Sequence, residues 1–324
     1  IKDWLLGEWD GQPRVDVVLD CLGAKNPQLA RIVLLHWLVG CVACLLVPNF
    51  KSKLVPVLQG EQSFKKTAFV ERIANVMPNA FLEGAELNPD NKDSLLSCIR
   101  SFIVELGELE RTNKNSQGSL KAFITKSIDT TRPPYARNDI KKPRQTHFIA
   151  TVNGDNFLKD ETGSNRFVVL AMKEAANMDA LNKLLGWSYD GTGKIKQQKP
   201  ELLKQFWLEV KALYSKGFGW MLSEKELTLA ASVNDSFDDK GGLYEYIRDN
   251  YIKENSSCLE WITAGELVKA DKDLPSHSTV IIGKALKRLS NEQSIKKRIA
   301  RGNKTEYQLH IERDINGYFP YYAN

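Results

Sequence analysis

The apolar positions of the first 170 residues fall into short runs separated by stretches of helical spacing. The apolar and β-branched runs lie at 54–58, 102–104, 147–152 and 167–170. Short apolar runs bounded by turn residues predict buried strands, and strands that alternate with helices predict a parallel sheet covered on both faces. We therefore predict a three-layer α/β core, with helices over about 66–77, 91–100 and 119–128 and a short strand or loop at 81–87.

Residues 1–50 carry apolar side chains at loosely helical spacing, which predicts a helical N-terminal segment. Asn26-Pro27 is a helix-start signal just before the longest apolar stretch, residues 32–48. That stretch contains His36, ends at a proline and is short for a membrane span. We predict a buried core helix and no membrane partner.

The pattern from residue 172 onward is helical, with predicted helices at 181–185, 202–214 and 224–233. Two adjacent glycines, Gly241 and Gly242, follow an acidic run and indicate a linker. We therefore predict a core domain over 51–235 and a small unit over 243–315.

The small unit combines helices with a hairpin. Its predicted helices are 243–251, 263–268 with Thr263 as N-cap, and 276–289, whose inward positions are Val280, Ile281, Ala285, Leu286 and Leu289. Two extended segments, 294–299 and 305–311, are joined by a turn at 301–304. Helices followed by a β-hairpin predict a winged helix.

Composition is that of a globular protein, with 42% hydrophobic and 26% charged residues in 324 positions. The five cysteines show no paired-pair spacing, and Cys41 and Cys44 form C-x-x-C inside the apolar stretch without a second such pair. We predict buried free thiols in a reducing cytoplasm. The chain starts without methionine, so we expect it to be part of a longer polypeptide.

The first chemical signal lies between Lys53 and Ile73, where an apolar run ends at Gly60 and a polar loop leads into a helix. Lys66 and Thr67 complete three of the four fixed positions of the phosphate-binding template G-x-x-x-x-G-K-[ST]. Lys65 replaces the second glycine. The predicted nucleotide-binding loop consists of Gly60, Glu61, Gln62, Ser63, Phe64, Lys65, Lys66 and Thr67. On this pattern alone, an ordinary strand–loop–helix stays open.

Polar residues follow two further strands of the predicted sheet. Glu105 and Glu108 stand at the end of the run 102–104, and Asn153 follows the run 147–152. Ligands of parallel sheets bind at the carboxyl ends of strands, and carboxylates there can hold Mg²⁺ and orient an attacking water. An acidic helix N-terminus is the alternative for the two glutamates.

The net charge is +5, and basic residues crowd the segments 132–144 and 284–304. In the C-terminal unit the third helix carries Lys284, Lys287 and Arg288. The hairpin carries Lys296, Lys297, Arg298, Arg301 and Lys304. Such a footprint suits DNA phosphates. The alternative is a protein-docking unit with a solvated basic face.

Several motifs occur together in one order. They are WDGQPR (9–14), GEQSFKKT (60–67), VELGEL (104–109), DTTRPPYAR (129–137), FIATVN (148–153) and LKDETGSNRF (158–167). With these motifs the chain resembles, over about residues 1–170, the virulence-associated protein E family. These are phage- and island-encoded ATPases related to the superfamily 3 replicative helicases.

The resemblance implies a P-loop AAA+ core that binds ATP and Mg²⁺. Lys66 would contact the β- and γ-phosphates and Thr67 the metal. Glu105 and Glu108 would form the acidic pair at the metal, with Glu108 polarising water. Asn153 would sense the γ-phosphate.

The resemblance also implies assembly. Arg166 is the candidate arginine finger that reaches the ATP of a neighbouring subunit, and Arg132 and Arg137 are second candidates. The implied assembly is a homo-oligomeric ring, expected to be a hexamer, in the cytoplasm of a bacterial host.

Single-stranded DNA would pass through the ring along a hairpin that carries Arg137, Lys141, Lys142 and Arg144. The winged helix would bind origin or duplex DNA, and a primase domain or protein is a further expected partner. The implied function is an ATP-dependent replicative helicase motor of a phage or mobile element.

Two departures from the motifs leave an alternative open. Lys65 and Ser63 stand where related loops often have glycine, and non-glycine residues are expected there only at negative φ. Gly107 separates the two glutamates where an aspartate would strengthen metal binding. The alternative is a degenerate ATP-binding and DNA-binding protein that loads or regulates a replication partner without unwinding.

Overall fold

The computed structural model describes the chain in several stretches. These are residues 1–85, 92–107, 120, 122–131, 138–154, 166–234, 242–253, 258–271, 274 and 279–312. The described residues belong to two units, 1–239 and 240–324. Glu108, Arg132 and Arg137 lie outside the described residues, so the predictions for them stay predictions.

The first unit contains nine strands in its described part. They are β1 (Val55–Gln59), β2 (Phe81–Ala85), β3 (Ile103–Leu106), β4 (Ile128–Thr131), β5 (Ile140–Pro143), β6 (His147–Val152), β7 (Phe167–Ala171), β8 (Trp187–Tyr189) and β9 (Ile195–Gln197). Five of them form a sheet in the order β2–β3–β6–β1–β7, and every neighbouring pair is parallel. The predicted α/β fold with a parallel sheet is confirmed, and the segment predicted as a short strand or loop at 81–87 contains the edge strand β2.

Helices surround this sheet. They are α1 (Val15–Asp20), α2 (Pro27–Leu46), α3 (Lys66–Ala74), α4 (Lys92–Arg100), α5 (Met178–Leu185), α6 (Pro200–Ser215) and α7 (Glu224–Asn234). Alternate residues of the strands enter different hydrophobic clusters: Leu58 and Ile149 join one, while Val57 and Phe148 join the other. Because neighbouring residues of a strand point to opposite faces, the sheet has a core on each face.

The apolar helix α2 is the largest contributor to one of these cores. The Asn26 side chain accepts a hydrogen bond from the Leu29 N–H at 3.0 Å, and Pro27 occupies the first turn. By length and composition α2 is a candidate membrane span, but 78% of its apolar window is buried inside the protein. Each fully buried leucine or valine contributes about 1.5–3 kcal/mol. The predicted buried core helix is therefore confirmed.

Three predictions about secondary structure need correction. In the N-terminal segment only α1 and α2 are helical, and residues 1–14 form turns and loops. The helix predicted over 119–128 is described as helical at 120 and 122–124, whereas Ile128 begins β4. The β-branched residues of Ile128–Thr131 favour the antiparallel pairing of β4 with β5. The hairpin of β8 and β9 was not predicted.

The second unit has helices α8 (Gly242–Tyr251), α9 (Ala264–Ala270) and α10 (Thr279–Asn291) and strands β10 (Leu259–Thr263), β11 (Lys297–Ala300) and β12 (Lys304–His310). The predicted hairpin is the antiparallel pair β11–β12. The strand β10 was not predicted and pairs with β12. At the start of α9, Thr263 and Glu266 form a capping box, as the predicted N-cap implies.

The buried face of α10 differs from the predicted one at three positions. Ile282, Ala285, Leu286 and Leu289 are buried at helical spacing. Val280 and Ile281 are 73% and 56% exposed, so their predicted inward position is wrong.

Four cysteines, Cys21, Cys41, Cys44 and Cys98, are buried free thiols, as predicted. Burial raises the pKa of the Cys98 thiol to about 11 and raises the pKa of the Cys41 and Cys44 thiols as well. Cys258 is exposed, which corrects the prediction for that residue. Within the described part of the chain, no three His, Cys, Asp or Glu side chains cluster as a metal site.

His147 begins β6 and is buried beneath α2, where a side chain at Gly40 would come within 2.7 Å of its Nε2. Burial lowers the pKa of the imidazole to about 3. Because histidine in an unfolded chain has a pKa near 6.5, the unfolded state binds more protons at pH values between these two. The stabilisation by neutral His147 is complete above about pH 6.5 and is lost as the pH falls towards 3.

We predict that the free energy of unfolding falls with decreasing pH more steeply in the wild type than in His147→Leu. The difference in slope approaches about 1.4 kcal/mol per pH unit between pH 6 and pH 4. Denaturant unfolding of both proteins across this range measures it, and carboxylates that titrate in both proteins cancel in the comparison. Parallel curves for the two proteins contradict the prediction.

Candidate functional site

The loop between β1 and α3 is held against the sheet at both ends. The Gly60 N–H donates to the Val152 carbonyl of β6 at 3.3 Å, and the Ala176 N–H donates to the Phe64 carbonyl at 3.0 Å. A Cβ atom at Gly60 would lie 2.8 Å from Phe64 Cδ2, so a side chain there would displace the aromatic ring. Gly60 is thus required by close packing of the loop on itself.

Lys66 is the first residue of α3, and its ammonium group lies within the loop. Its Nζ donates to the Gly60 carbonyl at 2.6 Å, to the Glu61 carbonyl at 2.8 Å and to Asn153 Oδ1 at 2.9 Å. The residue is buried, so this cation depends on the oxygens around it. Phosphate oxygens are alternative acceptors for the same three N–H groups.

Glu105 lies next to Thr67, the second residue of α3. Thr67 Oγ1 donates to Glu105 Oε1 at 2.6 Å, and Thr151 Oγ1 of β6 donates to the same carboxylate oxygen at 2.8 Å. Glu105 is 1% exposed. A buried carboxylate beside a hydroxyl offers hard oxygen ligands of the kind that Mg²⁺ accepts together with phosphates. The residues therefore fit a magnesium ion.

Parallel pairing explains why these side chains meet. The β1 strand pairs with β6, with Gln59 opposite Val152, and β6 pairs with β3, with Ile149 opposite Glu105. All three strands end at the same edge of the sheet. Of the predicted site residues, Lys66, Thr67, Glu105 and Asn153 come together there.

Thr151 was missed by the sequence analysis. Its signal was a polar residue in the otherwise apolar run from Phe148 to Val152, two positions before Asn153 and so on the same face. Such a threonine is also common in ordinary strands, so the signal was weak.

The backbone of Lys65 contradicts our expectation of a negative φ. Lys65 has φ +61° and ψ +29°, the left-handed conformation, and it immediately precedes α3. This is the position where the template has its second glycine, and an L-residue with a Cβ atom is strained there by about 1–2 kcal/mol. Lys65 thus adopts the glycine conformation of the template without being glycine.

The close approach of Gly84 explains why position 107 is a glycine. A Cβ atom at position 107 would lie 3.1 Å from Gly84 Cα of the adjacent strand β2. Gly84 has φ +57° and lies at an irregularity in the β2–β3 pairing. An aspartate at 107 would need the backbone at Gly84 to move.

Arg166 lies at the opposite edge of the sheet from the loop. Its carbonyl accepts the Val55 N–H at 2.8 Å, at the start of β1, whereas Lys66 follows the end of that strand. Five residues of strand separate the two edges by about 17 Å, at about 3.3 Å per residue. Its Nε is buried and has no hydrogen-bond partner in the described part of the chain. Arg166 is therefore too far away to contact a phosphate on Lys66 of the same chain.

The basic hairpin of the first unit divides into exposed and buried residues. Lys141 and Lys142 are exposed on β5. Arg144 is 2% exposed, donates two hydrogen bonds to Asp129 at 2.7 and 2.5 Å, and packs over Phe123. We therefore correct the prediction that Arg144 binds DNA: it anchors the base of the hairpin, where breaking a buried ion pair costs about 3–5 kcal/mol.

The predicted DNA-binding residues of the second unit are on its surface. Lys284, Lys287, Lys297, Arg298 and Arg301 are exposed. Arg298 pairs with Glu306 at 2.7 Å and lies over Trp261. Arg288 is half-buried and pairs with Glu292 at 3.1 Å.

We predict that Lys65→Gly raises the free energy of unfolding by about 0.5–1 kcal/mol. Removing left-handed strain of about 1–2 kcal/mol outweighs the extra flexibility that glycine gives the unfolded chain, about 0.5–1 kcal/mol. Lys65→Ala is the matched control because it removes the same side chain but keeps a Cβ atom. Denaturant unfolding should rank glycine above alanine, and equal stability of the two variants would contradict the strain.

Solved structures and one family model match the chain. Three solved structures are similar to the chain, all of the C-terminal region of NrS-1 and two of them described as its A form. Their sequence identities to this chain are 11%, 12% and 14%, and their TM-scores are 0.49, 0.47 and 0.45. The matches cover 95%, 95% and 94% of this chain and 78% of each of those chains. No curated protein matches. The family model for the virulence-associated protein E-like domain matches residues 3–239, and the chain belongs to that family.

Proposed function

We propose that this protein is the ATP-hydrolysing motor of a replicative DNA helicase of a phage or mobile genetic element. The observation that carries the proposal is the meeting of Lys66, Asn153, Thr67 and Glu105 at the carboxyl edge of a parallel sheet. A lysine in a loop before a helix, a hydroxyl after it and a carboxylate on a nearby strand form the set that binds a nucleotide phosphate and its metal. On this proposal the first unit has a P-loop AAA+ core.

ATP would bind with its phosphates at the N-terminus of α3. The backbone N–H groups from Glu61 to Lys65 would surround phosphate oxygens, and the helix dipole favours the negative charge. Lys66 would exchange its contacts with the Gly60 and Glu61 carbonyls for the β- and γ-phosphates. Thr67 and Glu105 would hold Mg²⁺, which when bound neutralises charge on these phosphates.

Asn153 and Glu108 would serve the hydrolysis of the γ-phosphate. Asn153 contacts Lys66 at 2.9 Å, so a γ-phosphate on Lys66 is within reach of the amide. Glu108 follows β3 by two residues, and we assign it the polarisation of the attacking water. Both groups act by position and charge, which is what phosphoryl transfer requires.

The position of Arg166 supports catalysis between subunits. Because Arg166 lies at the far edge of its own sheet, its guanidinium can serve only the ATP of another copy. A head-to-tail interface that repeats this contact closes into a ring, for which we propose a hexamer. Arg132 and Arg137 are second candidates for the same role.

The exposed lysines of the hairpin β4–β5 would contact DNA inside this ring. Lys141 and Lys142 are suited to successive phosphates of a single strand, and Arg137, which lies outside the described residues, is a further candidate for such a contact. The buried pair of Arg144 with Asp129 would keep the hairpin base rigid.

The second unit would add duplex or origin binding. Its helices and hairpin support a winged helix with Lys284, Lys287, Lys297 and Arg301 towards the phosphates. A primase, as a fused domain or a separate protein, is the proposed partner in replication, and the proposed location is the bacterial cytoplasm.

One observation favours a second function. The left-handed strain at Lys65 lies in the phosphate-binding loop itself, so the loop departs from its template where the backbone meets phosphate. A protein of this kind could bind ATP and DNA and regulate a replication partner without hydrolysis. ATP turnover with and without single-stranded DNA separates the two functions, since the second requires none.

We predict that Lys66→Ala abolishes ATP hydrolysis and DNA unwinding and weakens ATP binding at least tenfold. The reason is the loss of a buried charge-assisted contact to phosphate, worth about 1.5–3 kcal/mol. The matched control is Lys183→Ala, an exposed lysine in the last turn of α5. Unwinding by Lys66→Ala at the wild-type rate would rule out the motor.

We predict that Arg166→Ala binds ATP like the wild type but hydrolyses it at least 10³-fold more slowly, as loss of a trans arginine does. Mixing equal amounts of Arg166→Ala and Lys66→Ala should restore activity. In random rings roughly one quarter of the interfaces then combine an intact Lys66 with an intact Arg166. A mixture no more active than its components would contradict a trans role for Arg166.

A further inference from the structure

Glu105 is a buried carboxylate whose two oxygens have different surroundings. Its Oε1 accepts both hydroxyl hydrogen bonds, from Thr67 at 2.6 Å and from Thr151 at 2.8 Å. Among the described residues, its Oε2 accepts only a long contact from the Gly84 N–H, at 3.4 Å. One oxygen is therefore fixed by two donors, while the other keeps its lone pairs for a further partner.

The hydrogen-bond partners that the described residues provide for Glu105 are uncharged. They are the Thr67 and Thr151 hydroxyls and the Gly84 N–H, and no ion pair among the described residues includes this carboxylate. A buried carboxylate held only by hydroxyl and amide donors leaves a negative potential around it. A divalent cation at Oε2 is the partner that such a potential attracts.

Thr67 alone cannot keep the carboxylate in one orientation under the proposed function. If its hydroxyl oxygen held the metal, Thr67 would have to serve the metal and donate to Oε1 with the same group. Thr151 has no such second duty. It lies on β6, a central strand of the sheet, and two residues before Asn153.

We infer that Thr151 is a positioning residue: its hydroxyl fixes the rotation of the Glu105 carboxylate so that Oε2 faces the magnesium ion that accompanies ATP. The inference rests on the proposed function, because it needs a nucleotide on Lys66. It makes β6 contribute twice to the site, through Asn153 to Lys66 and through Thr151 to Glu105.

The consequence distinguishes positioning from ordinary strand packing. If Thr151 only packs in the strand, its replacement should lower the stability of the fold and weaken nucleotide binding equally with and without Mg²⁺. A threonine that orients a metal-binding carboxylate affects the dependence on Mg²⁺ and leaves metal-free binding of the nucleotide unchanged. Removing the neighbour that orients a metal ligand typically lowers metal affinity by about 10–100-fold.

The test is a titration of the full chain with a fluorescent ATP analogue, in EDTA and across Mg²⁺ concentrations. Thr151→Val removes the hydroxyl at constant shape, Thr151→Ala removes it without crowding, and Thr151→Ser retains it. The midpoint of thermal unfolding shows whether each variant is folded and how stable it is. We expect valine and alanine to raise the Mg²⁺ concentration for half-maximal enhancement of binding about tenfold, with binding in EDTA unchanged and serine close to wild type.

Other outcomes have separate meanings. An unchanged Mg²⁺ dependence in Thr151→Val and Thr151→Ala overturns the inference and leaves nucleotide binding in place. Equal losses with and without Mg²⁺, or a serine variant that behaves like valine, also overturn it, since both indicate a structural role. A wild-type protein that does not bind the analogue under either condition overturns the proposed function and this inference with it.

Discussion

The parallel pairing of β6 with its two neighbours is the constraint on which the candidate site depends. Pairing with β1 brings Asn153 to Lys66, and pairing with β3 brings Thr151 to Glu105. A shift of one residue in either register would turn these side chains to the opposite face. The register is held by burial on both faces, since the strands supply alternate residues to two separate cores. The chemistry at the edge of the sheet is thus fixed by hydrophobic packing within it.

Close backbone approaches set the shape of the site around that register. Gly60 leaves room for Phe64, and Gly107 leaves room for the irregular turn of β2 at Gly84. Lys65 instead adopts a left-handed conformation at an energetic cost.

The N-terminal motif at 9–14 has a structural role away from the site. Arg14 pairs with Asp10, and the Glu209 carboxylate of α6 accepts hydrogen bonds from the N–H groups of Arg14 and Val15. That carboxylate caps the start of α1.

The sequence predicted the parts of the fold whose signals are local. The run at 54–58, the loop after Gly60 and the helix opened by Lys66 follow from apolar spacing and turn residues, and so does the N-cap of α2. The burial of Arg144 could not be predicted from the sequence, because its partner Asp129 is fifteen residues away. Its basic neighbours Lys141 and Lys142 made an exposed basic segment the natural prediction. The prediction that Val280 and Ile281 face the core was wrong for a related reason. Three apolar residues in a row near the start of α10, Val280 to Ile282, do not reveal which of them faces the core.

Strand β6 connects the two ends of the first unit that the proposed motor needs to couple. It begins at His147, three residues after the arginine that anchors the hairpin, and it is followed by Asn153 at the loop. Its residues are buried except for the half-buried Thr151, so bending it would disturb both cores. A strand that cannot bend without this cost transmits displacement by moving as a whole. On the proposed function, a displacement of Asn153 by the nucleotide would be carried along β6 towards the hairpin base at Arg144, beside the exposed Lys141 and Lys142.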